Sequence, residues 1–313
     1  MAAMFTLAHI SDPHLAPLPA PPIGSLIGKR LMGYLSWQMK RRKIHRTEVL
    51  DALTRDLKGQ DIDHLVITGD LTNISLSAEF SAVARWLSNL GPADEVTVIP
   101  GNHDAYVPLD WAKSWEKWKD YMAGERDHDA GPRPPEHFDD FPFMRIRGPI
   151  ALIGTSSARP SPPAFAIGTL GERQLERIAS LLETARSKGL CRMVLVHHPP
   201  AGLSRWRKRL TDAEAFCRVI RQHGAELVLH GHDHSFSEVS IDGPEAPVPV
   251  FGIPSASAAL AHGHRPVSHY GIFGIEAAES GWNMQLRYHG FDRSTKTFKE
   301  TASHTRHLPA AGR

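Results

Sequence analysis

The first two thirds of the chain alternate short apolar runs with stretches in which apolar residues recur at helical spacing. Four segments place leucine and other apolar side chains on one helical face or follow a strand directly, and we predict them as helices: Thr47–Leu57, Glu79–Leu90, Gln174–Ala185 and Ala213–Gln222. Four short, mostly aliphatic runs are predicted as buried strands: Leu7–Ser11, Leu65–Gly69, Val96–Pro100 and Met193–His197. Strand–helix alternation of this kind predicts an α/β fold with a parallel or mixed sheet.

The pattern changes after Gly224, where strand candidates follow one another closely and turn residues separate them. These candidates are Glu226–Leu229, Ser237–Ile241, Val248–Ile253, Tyr270–Glu276 and Trp282–Tyr288. Asp242-Gly243 is a typical hairpin turn. We therefore expect a second, more antiparallel sheet, packed on the first within one domain.

Three segments look like additions to this core. Residues 17–46 begin Pro-rich and become basic and aromatic, residues 127–143 are Pro-rich and loop-like, and the tail beyond Ser294 shows little pattern. The expected organisation is one domain over residues 1–293 and a loosely structured tail over residues 294–313.

Composition excludes several classes of protein. The 313 residues are 41% hydrophobic and 22% charged, and no apolar run approaches the ~18–20 residues that cross a bilayer. The first residues lack the charged start of a signal peptide, and the two cysteines form no CxxC pair, so we expect reduced thiols and a cytoplasmic protein. A net charge of +2 is too small to indicate nucleic-acid binding, and the chain contains no dedicated nucleic-acid module.

Five short polar motifs follow predicted strands. They are Asp12-Pro-His14, Gly69-Asp70, Gly101-Asn102-His103-Asp104, His197-His198-Pro199-Pro200 and Gly231-His232-Asp233-His234. Because the carboxyl ends of strands line the ligand crevice in open α/β sheets, these clusters are expected to converge on one site.

The residue types in these motifs are suited to binding metal ions. Carboxylates, imidazoles and an Asn carbonyl, with no cysteine, favour ions such as Mn, Fe, Zn or Co. We expect Asp12 and His14, and likewise His232 and His234, to point to one side because residues two apart on an extended chain do so. Glycines before Asp70, Asn102 and His232 would permit the tight turns that bring the backbone close to the ions.

The order D-x-H, GD, GNHD, HHPP, GHDH resembles the calcineurin-like metallophosphoesterase superfamily, and within it the bacterial cyclic-nucleotide and glycerophosphodiester phosphodiesterases. The motifs extend from Asp12 to His234. The resemblance implies a four-layer αββα sandwich of two packed mixed sheets. It also implies two metal ions and a metal-bridging hydroxide that attacks phosphorus in line.

The resemblance further implies a role for each residue. One ion would be held by Asp12, His14 and His234, Asp70 would bridge to the second, and Asn102, His197 and His232 would complete that second ion. His103 would contact the phosphate and help the leaving oxygen as acid or hydrogen-bond donor. Between adjacent histidines, His197 is favoured as the ligand and His198 is placed behind it. His198 and His264 are also candidate substrate contacts.

Alternative interpretations remain at this stage. Each motif alone is explained as an ordinary turn or helix cap; the set taken together is not. The basic, aromatic segment 29–46 is either a lid or membrane-surface helix, hence a possible peripheral contact with the inner membrane face, or a solvated helix packed on the core. The leading function is a phosphodiesterase acting on a small-molecule or lipid-linked substrate, and the alternatives are a nucleotide-lipid pyrophosphatase, a nuclease and a non-catalytic metal-bound scaffold.

Overall fold

The computed structural model describes residues 4–125, 133–202 and 205–310, which form two six-stranded sheets and their flanking helices. The strands are β1 (Phe5–Ile10), β2 (His64–Ile67), β3 (Val96–Val98), β4 (Phe143–Arg147), β5 (Ile150–Gly154), β6 (Cys191–Leu195), β7 (Leu227–His230), β8 (Ser237–Ile241), β9 (Val248–Gly252), β10 (His269–Ala278), β11 (Gly281–Asp292) and β12 (Thr297–Pro309). The α-helices are α1 (Lys29–Ser36), α2 (Arg42–Ile44), α3 (Thr47–Gly59), α4 (Ser77–Leu90), α5 (Glu172–Ser187) and α6 (Ala213–His223).

Each sheet combines a parallel part with antiparallel strands. The first sheet has the order β12-β11-β10-β1-β2-β3, and the second has the order β4-β5-β6-β7-β9-β8. Strands β1, β2 and β3 run parallel, as do β5, β6, β7 and β9. The carboxyl ends of both parallel parts therefore carry the loops that contain the five motifs.

The expectation that the strands after Gly224 form a sheet of their own is wrong. Strands β8 and β9 extend the second sheet, whereas β10 returns to pair antiparallel with β1 in the first sheet. The reason is that β2 covers only one edge of β1, and the ladder from Phe5 to His9 satisfies the other edge with β10.

Side-chain alternation builds the layers of the sandwich. In β6, Met193 and Leu195 enter the core between the sheets, whereas Val194 packs on the outer side with α5 and α6. Helices α3 and α4 bury one apolar face each against the first sheet, for example through Leu53 and Val83. The result is a four-layer αββα sandwich, as the resemblance implies.

Three strands were not predicted from the sequence. Phe143, assigned to a loop-like segment, begins β4, and β5 follows it; residues 127–132 of that segment lie outside the described residues. The predicted loosely structured tail is also wrong, because residues 297–309 form β12 along β11. Only Phe298 and Leu308 of this edge strand are buried, so backbone pairing holds it, and its side chains carry little hydrophobic pattern.

The addition between β1 and α3 folds back over the carboxyl ends of the strands. It contains a 3₁₀ turn (Ile23–Ser25), then α1, a π-helical turn (Trp37–Arg41) and α2. Gly33 and Trp37 face inward, and an alanine Cβ at position 33 would lie 2.6 Å from Ile74 Cγ2. None of the described helices combines the length and apolar content that a membrane span requires.

Candidate metal centre

The loops after β1, β2, β3, β6 and β7 bring the predicted ligands together between the sheets. In the first group, ligand atoms of Asp12, His14, Asp70 and His234 all lie within 4.8 Å of one another. In the second group, Asp70 meets His197 and one further histidine, His232, within the same limit. The two groups share Asp70, which is the position the sequence assigns to a bridging carboxylate.

Asn102 lies beside the second group. Its Oδ1 is 3.2 Å from Nε2 of His197, and its side chain is buried. All seven predicted ligands therefore line one pocket, and the structure favours His197 over His198 as the member of the pair that faces it.

Hydrogen bonds fix how the imidazole rings face the pocket. His197 Nδ1 donates to the Thr68 carbonyl at 2.7 Å, which leaves Nε2 as the nitrogen that faces the pocket. His14 Nδ1 lies 3.0 Å from the Thr72 carbonyl, and its Nε2 points to within 3.3 Å of His234 Nε2. A carbonyl that orients the far ring nitrogen is the usual outer partner of a metal-binding histidine.

Left-handed backbone, not an extended chain, aims these ligands. Asp12, His14, Asp70, His232 and His234 all have positive φ, between +37° and +70°. The sequence argument from alternation along an extended strand is therefore wrong, although the paired residues do converge. Non-glycine residues adopt this conformation at some energetic cost, and such strain concentrates at functional sites.

The donor set fits cations. His232 Nε2 is buried with no hydrogen-bond partner among the described residues, and the buried Asp12 Oδ1 lies 3.0 Å from His234 Nε2. His197 Nε2 and Asn102 Oδ1 face each other at 3.2 Å, and without a cation between them a proton on Nε2 joins the two atoms. Burial alone would lower the pKa of His197, yet the Asp70 carboxylate raises it to about 9. Acceptors converging on a space that favours positive charge are what a metal site requires.

His103 lies beside the first group. Its backbone N–H donates to Asp70 Oδ1 at 2.6 Å, and its Nδ1 donates to the Asn73 carbonyl at 2.5 Å. Nε2 is therefore the nitrogen available to a ligand. The ring stacks on Tyr106 with centroids 5.2 Å apart. Burial and then the Arg41 guanidinium lower the pKa of His103 well below its usual range.

Asp104, the last residue of the third motif, binds backbone and not His103. It accepts hydrogen bonds from the backbone N–H groups of Gly101, Leu71 and Thr72, at 2.9, 3.2 and 2.8 Å. Asp104 thus joins the loop after β3 to the loop after β2, which holds Asp70 in place.

The structure also places two cationic side chains near the metal pocket that the five motifs do not indicate. Arg41 lies 2.9 Å from His14 Nδ1 through Nη2, and 3.3 Å from His103 Nδ1 through Nη1. Lys29 lies 4.5 Å from the centre of the Tyr106 ring, and burial lowers the pKa of Lys29 to about 8. Their only sequence clue is position, because both belong to the basic segment that follows the first motif.

His45, at the end of the same segment, was not predicted either. A ligand atom of His45 lies within 4.8 Å of those of His14 and His234. Its Nδ1 is 2.8 Å from Ser257 Oγ, and its ring stacks on Trp37. His45 therefore forms one wall of the first metal group.

The two candidate substrate contacts lie in different surroundings. The ring of His198 is fully buried, Nδ1 lies 2.7 Å from Ser157 Oγ and Nε2 lies 3.2 Å from the Ala166 carbonyl, and its contact with substrate stays a prediction. It packs behind His197 and His232, which agrees with the expectation that His197 is the ligand of the pair. His264 is exposed, and its contact with substrate stays a prediction.

Comparisons with known proteins agree with this geometry. A sequence model of the family described as calcineurin-like phosphoesterase matches residues 5–236, which include all seven predicted ligands. No curated protein matches the chain by sequence.

Solved structures share the architecture at low sequence identity. A dimetal phosphatase from Danio rerio aligns over 97% of this chain and 99% of its own, with a TM-score of 0.60 and 14% identity. GAP50, described as the anchor in the inner membrane complex of Plasmodium, aligns over 98% of this chain and 89% of its own, with a TM-score of 0.51 and 9% identity. At these identities the likeness shows the fold.

Proposed function

Because the chain belongs to the calcineurin-like phosphoesterase family and is therefore a metal-dependent phosphoric ester hydrolase, we propose that its substrates are phosphodiesters. The diester assignment is supported by the five motifs, whose order and composition resemble those of bacterial phosphodiesterases. The two ligand groups, sharing Asp70, would hold two ions of the Mn, Fe, Zn or Co class. When bound, such a pair polarises phosphoryl oxygens and lowers the pKa of water.

The observation that best supports a phosphate-ester substrate is the environment of Arg41. Among the described residues, no carboxylate lies within 4.0 Å of its guanidinium. Its contacts are ring nitrogens of His14 and His103, and the nearest nitrogen of each ring also lies within hydrogen-bond distance of a backbone carbonyl. Its N–H donors thus lack good acceptors within the protein, and a phosphate ester supplies them in the geometry that a guanidinium prefers.

His103 would serve the leaving group. With Nδ1 donating to the Asn73 carbonyl, Nε2 is the ring atom that would face the departing oxygen, and it can donate a proton to that oxygen only when the ring is in its imidazolium form. The Asp70 carboxylate receives the His103 backbone N–H, so the same residue that joins the two ligand groups also fixes His103 relative to them.

Hydrolysis of two chromogenic esters tests this proposal. The full chain supplied with Mn²⁺ is expected to cleave bis(p-nitrophenyl) phosphate in preference to p-nitrophenyl phosphate. Arg41→Gln is expected to lower kcat/KM for the diester by about 10²–10³-fold, as loss of a donor to transition-state charge does. The exposed neighbour Arg42→Gln is the matched control and should retain activity.

Two outcomes would contradict the proposal. A preference for the monoester would overturn the diester assignment, and full activity of Arg41→Gln would remove Arg41 from the substrate site. Asp70→Asn separates the metal question from the substrate question, because it should lower both activity and bound metal measured by elemental analysis.

A further inference from the structure

The helical segment over the metal pocket exposes apolar side chains to solvent. Leu31, Leu35 and Met39 recur every four residues, and they are 42%, 48% and 65% exposed. A helix on a protein surface normally turns polar residues outward. Six of the nine large hydrophobic residues that are exposed in the described chain lie between residues 23 and 39. Isolated exposed apolar residues are ordinary, but a concentration of this kind marks an interaction surface.

The opposite face of the segment prevents the helix from turning this stripe inward. Gly33 packs so closely that a Cβ there would meet Ile74 at 2.6 Å, and Trp37 is buried. Arg41 reaches the metal pocket and contacts His14. These three residues also recur every four positions, so the contacts that hold the segment on the core keep Leu31, Leu35 and Met39 at the surface.

The charge around the stripe has one sign. No acidic residue occurs between Asp12 and Glu48, whereas Lys40, Arg42 and Lys43 are exposed beside the stripe. A second segment, residues 205–209, contains four basic residues and Trp206, which is 62% exposed. Both segments therefore combine exposed apolar side chains with exposed positive charge.

A chain of contacts joins the two segments. Lys29 Nζ donates to Ser161 Oγ at 2.8 Å, and Ser161 Oγ donates to the Phe165 carbonyl at 2.8 Å. The Phe165 ring packs edge-on against Trp206 with centroids 5.2 Å apart. Residues 23–43 and 205–209 are thus neighbours through these contacts, and we name them together the apolar rim.

We propose that the apolar rim docks on an anionic lipid bilayer, with the metal pocket beside the membrane surface. Apolar side chains enter the interface while lysine and arginine contact anionic head groups, which is the usual arrangement of an interfacial helix. A second copy of the chain fits less well, because pairing two rims would bring like charges together. An amphiphilic phosphodiester as the substrate follows from this docking, and that part alone rests on the proposed function.

Vesicle flotation of the full chain tests docking without any measurement of activity. The protein is expected to float with phosphatidylcholine vesicles that contain phosphatidylglycerol, and much less with phosphatidylcholine alone. The apolar triple variant Leu31→Ser, Leu35→Ser, Met39→Ser should lose about tenfold or more in binding to the anionic vesicles.

The basic residues are tested separately. The triple variant Lys40→Gln, Arg42→Gln, Lys43→Gln should also lose about tenfold or more, since each charge near the surface contributes. The matched controls are exposed residues elsewhere, and both are expected to bind like the wild type: the single variant Met4→Ser, and the triple variant Arg55→Gln, Lys58→Gln, Lys188→Gln.

The outcomes separate docking from catalysis. Absence of wild-type binding to anionic vesicles, or wild-type binding by both rim variants, would overturn the proposal. Self-association in sedimentation velocity that the apolar variant abolishes, without vesicle binding, would assign the rim to a second copy and also overturn it. Both rim variants should cleave the soluble diester at the wild-type rate, which verifies their fold; an inactive wild type that still binds vesicles would refute only the proposed function.

Discussion

Replacing Gly101 by alanine adds a single methyl group at a crowded point of the metal pocket, next to Asp70. The new Cβ would lie 2.3 Å from Asp70 Oδ1, 2.4 Å from the Asp70 backbone nitrogen and 2.7 Å from His197 Cε1. Ordinary van der Waals contact begins at 3.4 Å, so Asp70 or the loop after β3 must move by about 1 Å. Both ligand groups contain Asp70, so movement of Asp70 or of the loop after β3 would disturb them.

The size of the effect follows from this displacement. Metal sites tolerate ligand shifts of only about 0.2 Å, and a displacement of about 1 Å costs roughly 10²-fold in rate. We therefore expect kcat/KM for the diester to fall by about 100-fold or more and the second ion to bind more weakly. Overpacking should also lower the free energy of unfolding by about 1–3 kcal/mol.

The assay compares Gly101→Ala with Gly59→Ala. Gly59, at the end of α3, has no atom within 4 Å of its virtual Cβ and is the matched control. Diester hydrolysis, metal content and urea unfolding are measured on both variants. A Gly101→Ala protein that keeps two bound ions and wild-type kcat/KM would refute the argument that the loops after β2 and β3 have no spare space.

Three further predictions concern stability. Burial lowers the pKa of His64 to about 3, below the value of about 6.5 expected when it is exposed, so the unfolded chain binds the proton first as the pH falls. The contribution of His64 to folding stability is therefore complete above about pH 6.5 and is lost below it by up to about 1.4 kcal/mol per pH unit. Urea unfolding at pH 7 and pH 5 should show a smaller loss of stability for His64→Gln than for the wild type. An equal loss in both proteins would contradict this prediction. Glu226→Ala breaks the buried ion pair with Arg192 and should cost about 3–5 kcal/mol in the same assay, whereas a loss below about 1 kcal/mol would show that the pair is dispensable. Removing residues 297–313 uncovers the edge of β11 and should produce a destabilised protein whose aggregation is measured by light scattering. Unchanged stability and unchanged scattering would show that these residues behave as a loose tail.

Much of the metal pocket could be predicted from the sequence, because its residues follow strands that are recognisable as short apolar runs. The runs before Asp12, Asp70, Asn102, His197 and His232 are apolar and short, and each proved to end at or near the predicted place. The pocket then forms because parallel strands deliver their carboxyl ends to one edge. The local backbone was not predictable in the same way, since the positive φ of these ligands depends on contacts with other loops.

Arg41 and His45 show the limit of motifs. Nothing adjacent to them in the chain indicates a catalytic pocket, and a basic helix is usually a solvated surface. They enter the pocket only because the segment from residue 29 to 46 folds back and is held by Gly33 against Ile74 and by His45 against Ser257. Contacts of this kind join residues tens to hundreds of positions apart.

The amino-acid sequence by itself determined most of the strands and helices and which donors lie at the strand ends, because periods of 2 and 3.6 residues are a property of neighbouring positions. Only the tertiary structure decided which strands share a sheet, that residues 297–309 pair with β11, and that Arg41 enters the pocket while Leu31, Leu35 and Met39 stay outside. Those choices depend on burial and hydrogen bonding summed over distant parts of the chain, which no local pattern records.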